Sequence, residues 1–210
     1  MLDPDATARL TRVPVIPVLT ITDLAHAVPL ARALVAGGLP AIEVTLRTPV
    51  AIEAIAAIAG GVENCLVGAG TVLQPSDADA AIAAGARFLV SPGTPLALAH
   101  RLQNCGVPVL PGCATVSEAM TLADLGFPML KFFPAEASGG VAWLRAVAAP
   151  LPQLRFCPTG GIDMRNARDY LALPNVAAVG GSWVAPKEAL ASGDYTRITS
   201  LARDAAGLRG

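Results

Sequence analysis

The sequence predicts an α/β protein, a single-domain (β/α)8 TIM barrel, and three observations predict it. Short runs rich in Val, Ile and Leu begin near Val13, Ala41, Cys65, Phe88, Val107, Met129, Leu154 and Val176. Their spacing is about 20 to 27 residues, the length of one strand-plus-helix unit, and eight such units make a barrel. Composition agrees, with 53% of residues hydrophobic and 15% charged, as expected when both faces of every strand are covered. At 210 residues the chain suits one substantial core, so residues 1–210 are read as one domain, with 1–12 a short helical or irregular lead-in. An open doubly wound sheet is the competing fold. It usually carries a GxGxxG turn after its first strand, whereas here that strand ends Val18-Leu19-Thr20.

Punctuation between the strands supports the count. Thr48 with Pro49, and Thr94 with Pro95, have the form of N-cap plus first helical residue, and Thr115-Val116-Ser117-Glu118 has capping-box spacing. Gly37, Gly85, Gly106 and Gly126 stand where residues just past a helix end belong. Between the second and third strands Ile52, Ile55, Ala56 and Ala59 recur at helical spacing, which predicts a core-facing stripe.

A formal net charge of -1 supplies no global field to gather nucleic acid or a membrane surface, so the expected partner is a small molecule held by local donors. Cys65, Cys105, Cys113 and Cys157 lack CxxC spacing and are expected as reduced thiols acting as small hydrophobes. The start Met1-Leu2-Asp3-Pro4-Asp5 lacks a charged-then-apolar signal pattern, and no window approaches a membrane span, so a cytoplasmic location is expected.

Barrels gather function at the C-terminal ends of their strands, and this rule collects scattered polar residues into one candidate site. Lys131 lies within Met129-Leu130-Lys131-Phe132-Phe133, on the sixth predicted strand, and Lys187 is the only other lysine. An ordinary lysine holds about one neutral amine in 2,500 at pH 7. Apolar surroundings disfavour the charged form, and a neutral amine attacks carbonyl carbon. In Ile42-Glu43-Val44-Thr45-Leu46-Arg47, alternation puts positions 43, 45 and 47 on one face, so the Glu43 carboxylate and the Arg47 guanidinium can both point into the barrel mouth. The third strand, Gly68-Ala69-Gly70-Thr71, leaves space and offers a hydroxyl. The seventh and eighth strands end in Cys157-Pro158-Thr159-Gly160-Gly161 and Val179-Gly180-Gly181-Ser182, two diglycine turns where backbone N–H groups can cradle a phosphate. The residues alone leave a second reading open, in which Lys131, Glu43 and Arg47 form only a structural ion network. Lys187 reads as a solvated charge. His26 and His100 read as helical residues away from the strand ends.

The runs PVIPVL, AIEVTLR, GAGTVL, FLVSPG, PGCAT, KFFPAE, CPTGGI and VGGSW stand in this order from about residue 13 onward. With them the chain closely resembles the KHG/KDPG aldolase family, whose members cleave 2-keto-3-deoxy-6-phosphogluconate. The resemblance implies a carbon–carbon lyase that needs no metal or other cofactor and forms a Schiff base on Lys131, with Glu43 as acid/base. It implies that Arg47 and Thr71 bind the substrate carboxylate, and that Gly160, Gly161, Gly180, Gly181 and Ser182 contact its phosphate. Pro92, Phe133 and Thr159 then form pocket walls. It further implies a phosphorylated 2-keto acid and pyruvate as ligands, a homotrimer, and a place in the Entner–Doudoroff pathway. Sister activities on 4-hydroxy-2-oxoglutarate or the galactonate epimer would use the same lysine and glutamate, and a noncatalytic phosphosugar-binding barrel is the remote alternative.

Overall fold

The computed structural model describes residues 4–209. Nine short strands alternate with helices among these residues: β1 Val15–Leu19, β2 Ala41–Thr45, β3 Leu66–Gly70, β4 Leu89–Val90, β5 Val109–Leu110, β6 Gly112–Cys113, β7 Met129–Phe132, β8 Arg155–Pro158 and β9 Val179–Gly181. All named pairs are parallel. They form a curled six-stranded sheet in the order β5-β4-β3-β2-β1-β9 and a three-stranded sheet β6-β7-β8. β5 and β6 are separated by the single residue Pro111, which has no N–H to give to a ladder. Isolated parallel bridges, Phe156 with Val176 and Thr159 with Gly180, join β8 to the segment of β9.

Alternation sorts the strand residues into two cores. Val15, Ile42, Val44, Val67, Leu89, Leu130, Phe132, Phe156 and Val179 face outward into a large cluster shared with the covering helices. Ile16, Ala41, Leu66, Phe88, Val90, Leu110, Met129, Cys157 and Ala178 face inward. Ala6 and Leu10 of the helix Pro4–Arg12, with Val13, join this inner cluster, so that helix plugs the N-terminal end of the sheet. Arg209 fastens the same end, donating to the carbonyls of Thr11, Val176 and Ala177. With one end filled by apolar groups, space for a ligand remains at the other.

Local signals were met unevenly. Thr115 and Glu118 form the expected capping box on Val116–Asp124. Gly85 and Gly126 turn the chain at positive φ directly after the cap residues of Pro75–Ala83 and Val116–Asp124. Gly37 is itself the right-handed cap of Ala27–Ala36 and leaves the positive φ to Gly38, while Gly106 lies well beyond the end of Leu96–Leu102. Neither expected Thr-Pro start caps a helix. Thr48 donates to Ile21 O (2.6 Å) and Thr94 to Gly112 O (3.1 Å), ties between neighbouring units that outcompete the local cap. On Ala51–Gly61 the buried face is Ala51, Ala54, Ile55 and Ile58. Ile52 is half-buried and Ala56 and Ala59 are exposed, because an alanine-rich helix carries apolar side chains on nearly every face.

Candidate active site

Inward parity delivers the central pair. Lys131 follows Met129 on the inner face of β7, and Glu43 follows Ala41 on the inner face of β2. Both are 3% exposed, and Lys131 Nζ stands 3.4 Å from Glu43 Oε1. The ammonium also lies 5.4 Å from the Phe133 ring centroid, within cation–π range. Their placement depends on glycine neighbours. A Cβ on Gly70 would fall 1.9 Å from Glu43 Oε1, and one on Gly68 would fall 2.4 Å from the Phe88 ring. Two adjacent inner positions of β3 are therefore empty so that a carboxylate and an aromatic ring can occupy the interior.

The other β2 candidates separate from Glu43. Thr45 turns sideways, donating to Leu19 O at 2.8 Å, and contributes to strand pairing. Arg47, past the end of the strand and exposed, donates from Nε to Thr71 Oγ1 at 2.9 Å. Thr71 adopts φ 60, a left-handed conformation costly for a β-branched residue, and its hydroxyl thereby meets the guanidinium.

A cleft of about 870 Å³ opens above the pair. It is lined by Arg47, Lys131, Phe133, Thr159, Gly160, Gly161, Gly180, Gly181 and Ser182, so nine of the predicted residues share one cavity. Glu43 reaches it through Lys131, and Thr71 through Arg47. Pro92 is half-buried off the lining, its carbonyl packed against the place a Gly112 side chain would take.

The two diglycine corners differ in their cause. Gly160 and Gly161 have φ +101 and +78, which side-chain-bearing residues rarely adopt. Gly180 and Gly181 provide room instead. Cβ atoms there would fall 2.3 Å from Thr159 Oγ1 and 1.7 Å from the Trp183 ring.

Among the cleft residues that sequence reasoning passed over, His26 and Lys187 carry basic side chains. His26 lines the cleft and shares a 2.6 Å hydrogen bond with Tyr195, because the short helix Leu24–His26 folds over the end of β1. Lys187 is exposed as expected, yet it stands on the cleft wall. Beneath the site, Cys157 pairs in register with Lys131, and burial pushes its thiol up to about 12 despite the nearby ammonium. It is a neutral packing group. Among the described residues no cluster of three or more His, Cys, Asp or Glu side chains could hold a metal, and no helix is long and apolar enough to cross a membrane.

A buried amine beside a carboxylate, under a cleft with a guanidinium at one side and two diglycine corners at another, suits imine chemistry on an anionic carbonyl compound. The family model described as KDPG and KHG aldolase matches residues 6–201. The chain belongs to the KDPG and KHG aldolase family. It is 54% identical over 196 residues to a 2-dehydro-3-deoxy-phosphogluconate aldolase of Dickeya dadantii (strain 3937), covering 93% of this chain and 92% of that one. Identity and coverage are the same for a KHG/KDPG aldolase of Escherichia coli (strain K12). Among solved family structures, a Legionella pneumophila KDPG aldolase superposes with a TM-score of 0.93 at 46% identity, covering 96% of this chain and 98% of that one. That enzyme was captured at low pH with pyruvate as a covalent carbinolamine intermediate.

Proposed function

We propose that the protein is a class I aldolase that cleaves 2-keto-3-deoxy-6-phosphogluconate into pyruvate and glyceraldehyde 3-phosphate through a Schiff base on Lys131. One observation carries this reading: the Lys131 amine and Glu43 carboxylate lie 3.4 Å apart, both buried, on the floor of a cleft that also holds both diglycine corners. Such a pair gains little net stability, because desolvating two charges offsets their attraction, so its value is chemical.

Glu43 takes a proton from Lys131, and the freed amine attacks C2 of the keto acid. Glu43 returns its proton to the C2 hydroxyl, and the carbinolamine loses water to give an iminium. Glu43 then removes the C4 hydroxyl proton while the C3–C4 bond breaks and its electron pair flows into the iminium, leaving an enamine. Glyceraldehyde 3-phosphate departs. Return of the proton to C3 and hydrolysis of the imine release pyruvate and restore the lysine. Arg47, steadied by Thr71, pairs with the substrate carboxylate and fixes C2 beside the amine. Phe133 and Thr159 wall the path, with Pro92 behind them. The two corners formed by Gly160 and Gly161 and by Gly180, Gly181 and Ser182 receive the phosphate. The Legionella relative's carbinolamine is the first covalent adduct of this sequence.

A second activity, cleavage of 4-hydroxy-2-oxoglutarate to pyruvate and glyoxylate, is favoured by the double name of the E. coli relative. The epimeric phosphogalactonate is a third substrate for the same pair. Steady-state comparison tests the order: kcat/KM is expected to be at least about tenfold higher for the phosphogluconate compound than for hydroxyoxoglutarate, through the phosphate contacts. Equal values would contradict a working phosphate pocket.

The remaining assignments follow from the same reading. We take residues 1–210 as one domain in which β5 and β6 are one strand interrupted at Pro111 and β8 closes on β9, a complete (β/α)8 barrel. Leu73, Leu96 and Met120, which are 61%, 57% and 50% exposed on successive units, support self-association in a homotrimer. A cytoplasmic enzyme of the Entner–Doudoroff pathway fits this chemistry.

A further inference from the structure

Tyr170 has no exposed surface, yet its hydroxyl donates to Oε1 of Glu136, which is itself largely exposed. Glu136 lies along the Gly160–Gly161 corner over its whole length. Its backbone N–H donates to Gly160 O at 3.1 Å, beside a 2.8 Å bond from Ala135 N–H to Thr159 O. Its Cβ and Cγ stand 2.7 and 2.6 Å from where a Gly161 side chain would begin. Gly140 makes room for the pair, since a Cβ there would lie 2.9 Å from the Tyr170 hydroxyl and 3.3 Å from Glu136 Oε1. Neither Tyr170 nor Glu136 lines the cleft.

The physical need for such a brace is plain. Two consecutive glycines at positive φ form the most permissive backbone available, and amides aimed at an anion work only while their direction is held. An exposed glutamate would by itself rotate freely, whereas a charge-assisted bond from a buried phenol holds one rotamer. We propose that Tyr170 is a positioning residue for phosphate recognition, holding Glu136 against Gly161 and so fixing the Gly160–Gly161 peptide and the direction of the Gly161 amide. This rests on the aldolase reading above and deepens it. Preference for the phosphorylated substrate depends on the Tyr170–Glu136 bond, while the pyruvate half of the site does not.

The test is Tyr170→Phe, which removes only the hydroxyl. Three reactions are compared: aldol addition of pyruvate to glyceraldehyde 3-phosphate, the same addition to unphosphorylated glyceraldehyde, and proton exchange at the pyruvate methyl group. KM for the phosphorylated aldehyde is expected to rise about tenfold, the loss of one charge-assisted bond. The other two rates should stay within about twofold. Glu136→Ala should reproduce this split, and it carries the test should Tyr170→Phe fold poorly. Glu136→Gln, whose amide oxygen still accepts from the phenol, should restore KM to within about threefold of the unaltered protein. An equal fall in all three reactions, or an unchanged KM for the phosphorylated aldehyde, overturns the assignment. Absence of exchange and addition in the unaltered protein would instead remove the aldolase reading and this inference with it.

Discussion

Lys131 drew notice in the sequence because an amine bracketed by apolar side chains needs a reason, and its depth in the structure is what alternation along Met129–Phe132 dictates. Alternation also paired it with Glu43, across 88 positions of sequence. Thr45, the last residue of β2, gives its hydroxyl to the Leu19 carbonyl. Nothing local in the sequence marks Tyr170 or His26, whose partners Glu136 and Tyr195 are brought by distant parts of the chain. If Glu43 moves the protons, Glu43→Gln should still allow slow imine formation with pyruvate but slow methyl proton exchange by about 10² to 10⁴. Deuterium exchange followed by NMR measures this, and exchange at the rate of the unaltered protein would exclude Glu43 as the base.

At the scale of elements, strand positions were legible and helix ends less so. Expected strand starts at Ala41 and Met129 coincide with β2 and β7, because runs of Val, Ile and Leu bounded by turn residues leave little choice. The break at Pro111 and the hydroxyl ties of Thr48 and Thr94 escaped notice because they depend on neighbouring units. The small residues of β3 were seen to leave space, but what fills it became visible only in three dimensions. Gly70→Ala would drive a methyl group into the Glu43 carboxylate. Expected outcomes are a loss of about 1–3 kcal/mol of stability, from overpacking, and a fall in kcat of at least about tenfold as the carboxylate is displaced. Denaturant unfolding and steady-state kinetics check both, and retention of full activity would show that Glu43 does not need its observed position.

For the whole molecule, an α/β fold of short parallel strands covered by helices follows from periodicity and composition together. The exposed Leu73, Leu96 and Met120 are scattered in sequence, so no local pattern announces them as neighbours of one another. Burial of one thiol in each core has a pH signature. Cys113 and Cys157 are both pushed up to about 12, chiefly by desolvation, from an ordinary 9.0. Their neutral forms are retained on folding, so above pH 9.0 the unfolded chain binds fewer protons than the folded one. Stability is then complete below that pH and falls as pH rises toward about 12, by on the order of 1 kcal/mol per pH unit for each thiol. Thermal unfolding should show Tm declining across this window, less steeply in Cys157→Ala. A Tm that stays flat would contradict burial of these thiols.

The central claim is that Lys131 is the nucleophile, and reductive trapping tests it most directly. Incubated with pyruvate and borohydride, the protein should lose activity as it gains one pyruvate-derived carboxyethyl group, mapped by peptide mass spectrometry to Lys131, and Lys131→Ala should gain none. An adduct at Lys187, or no adduct while cleavage proceeds, would contradict it.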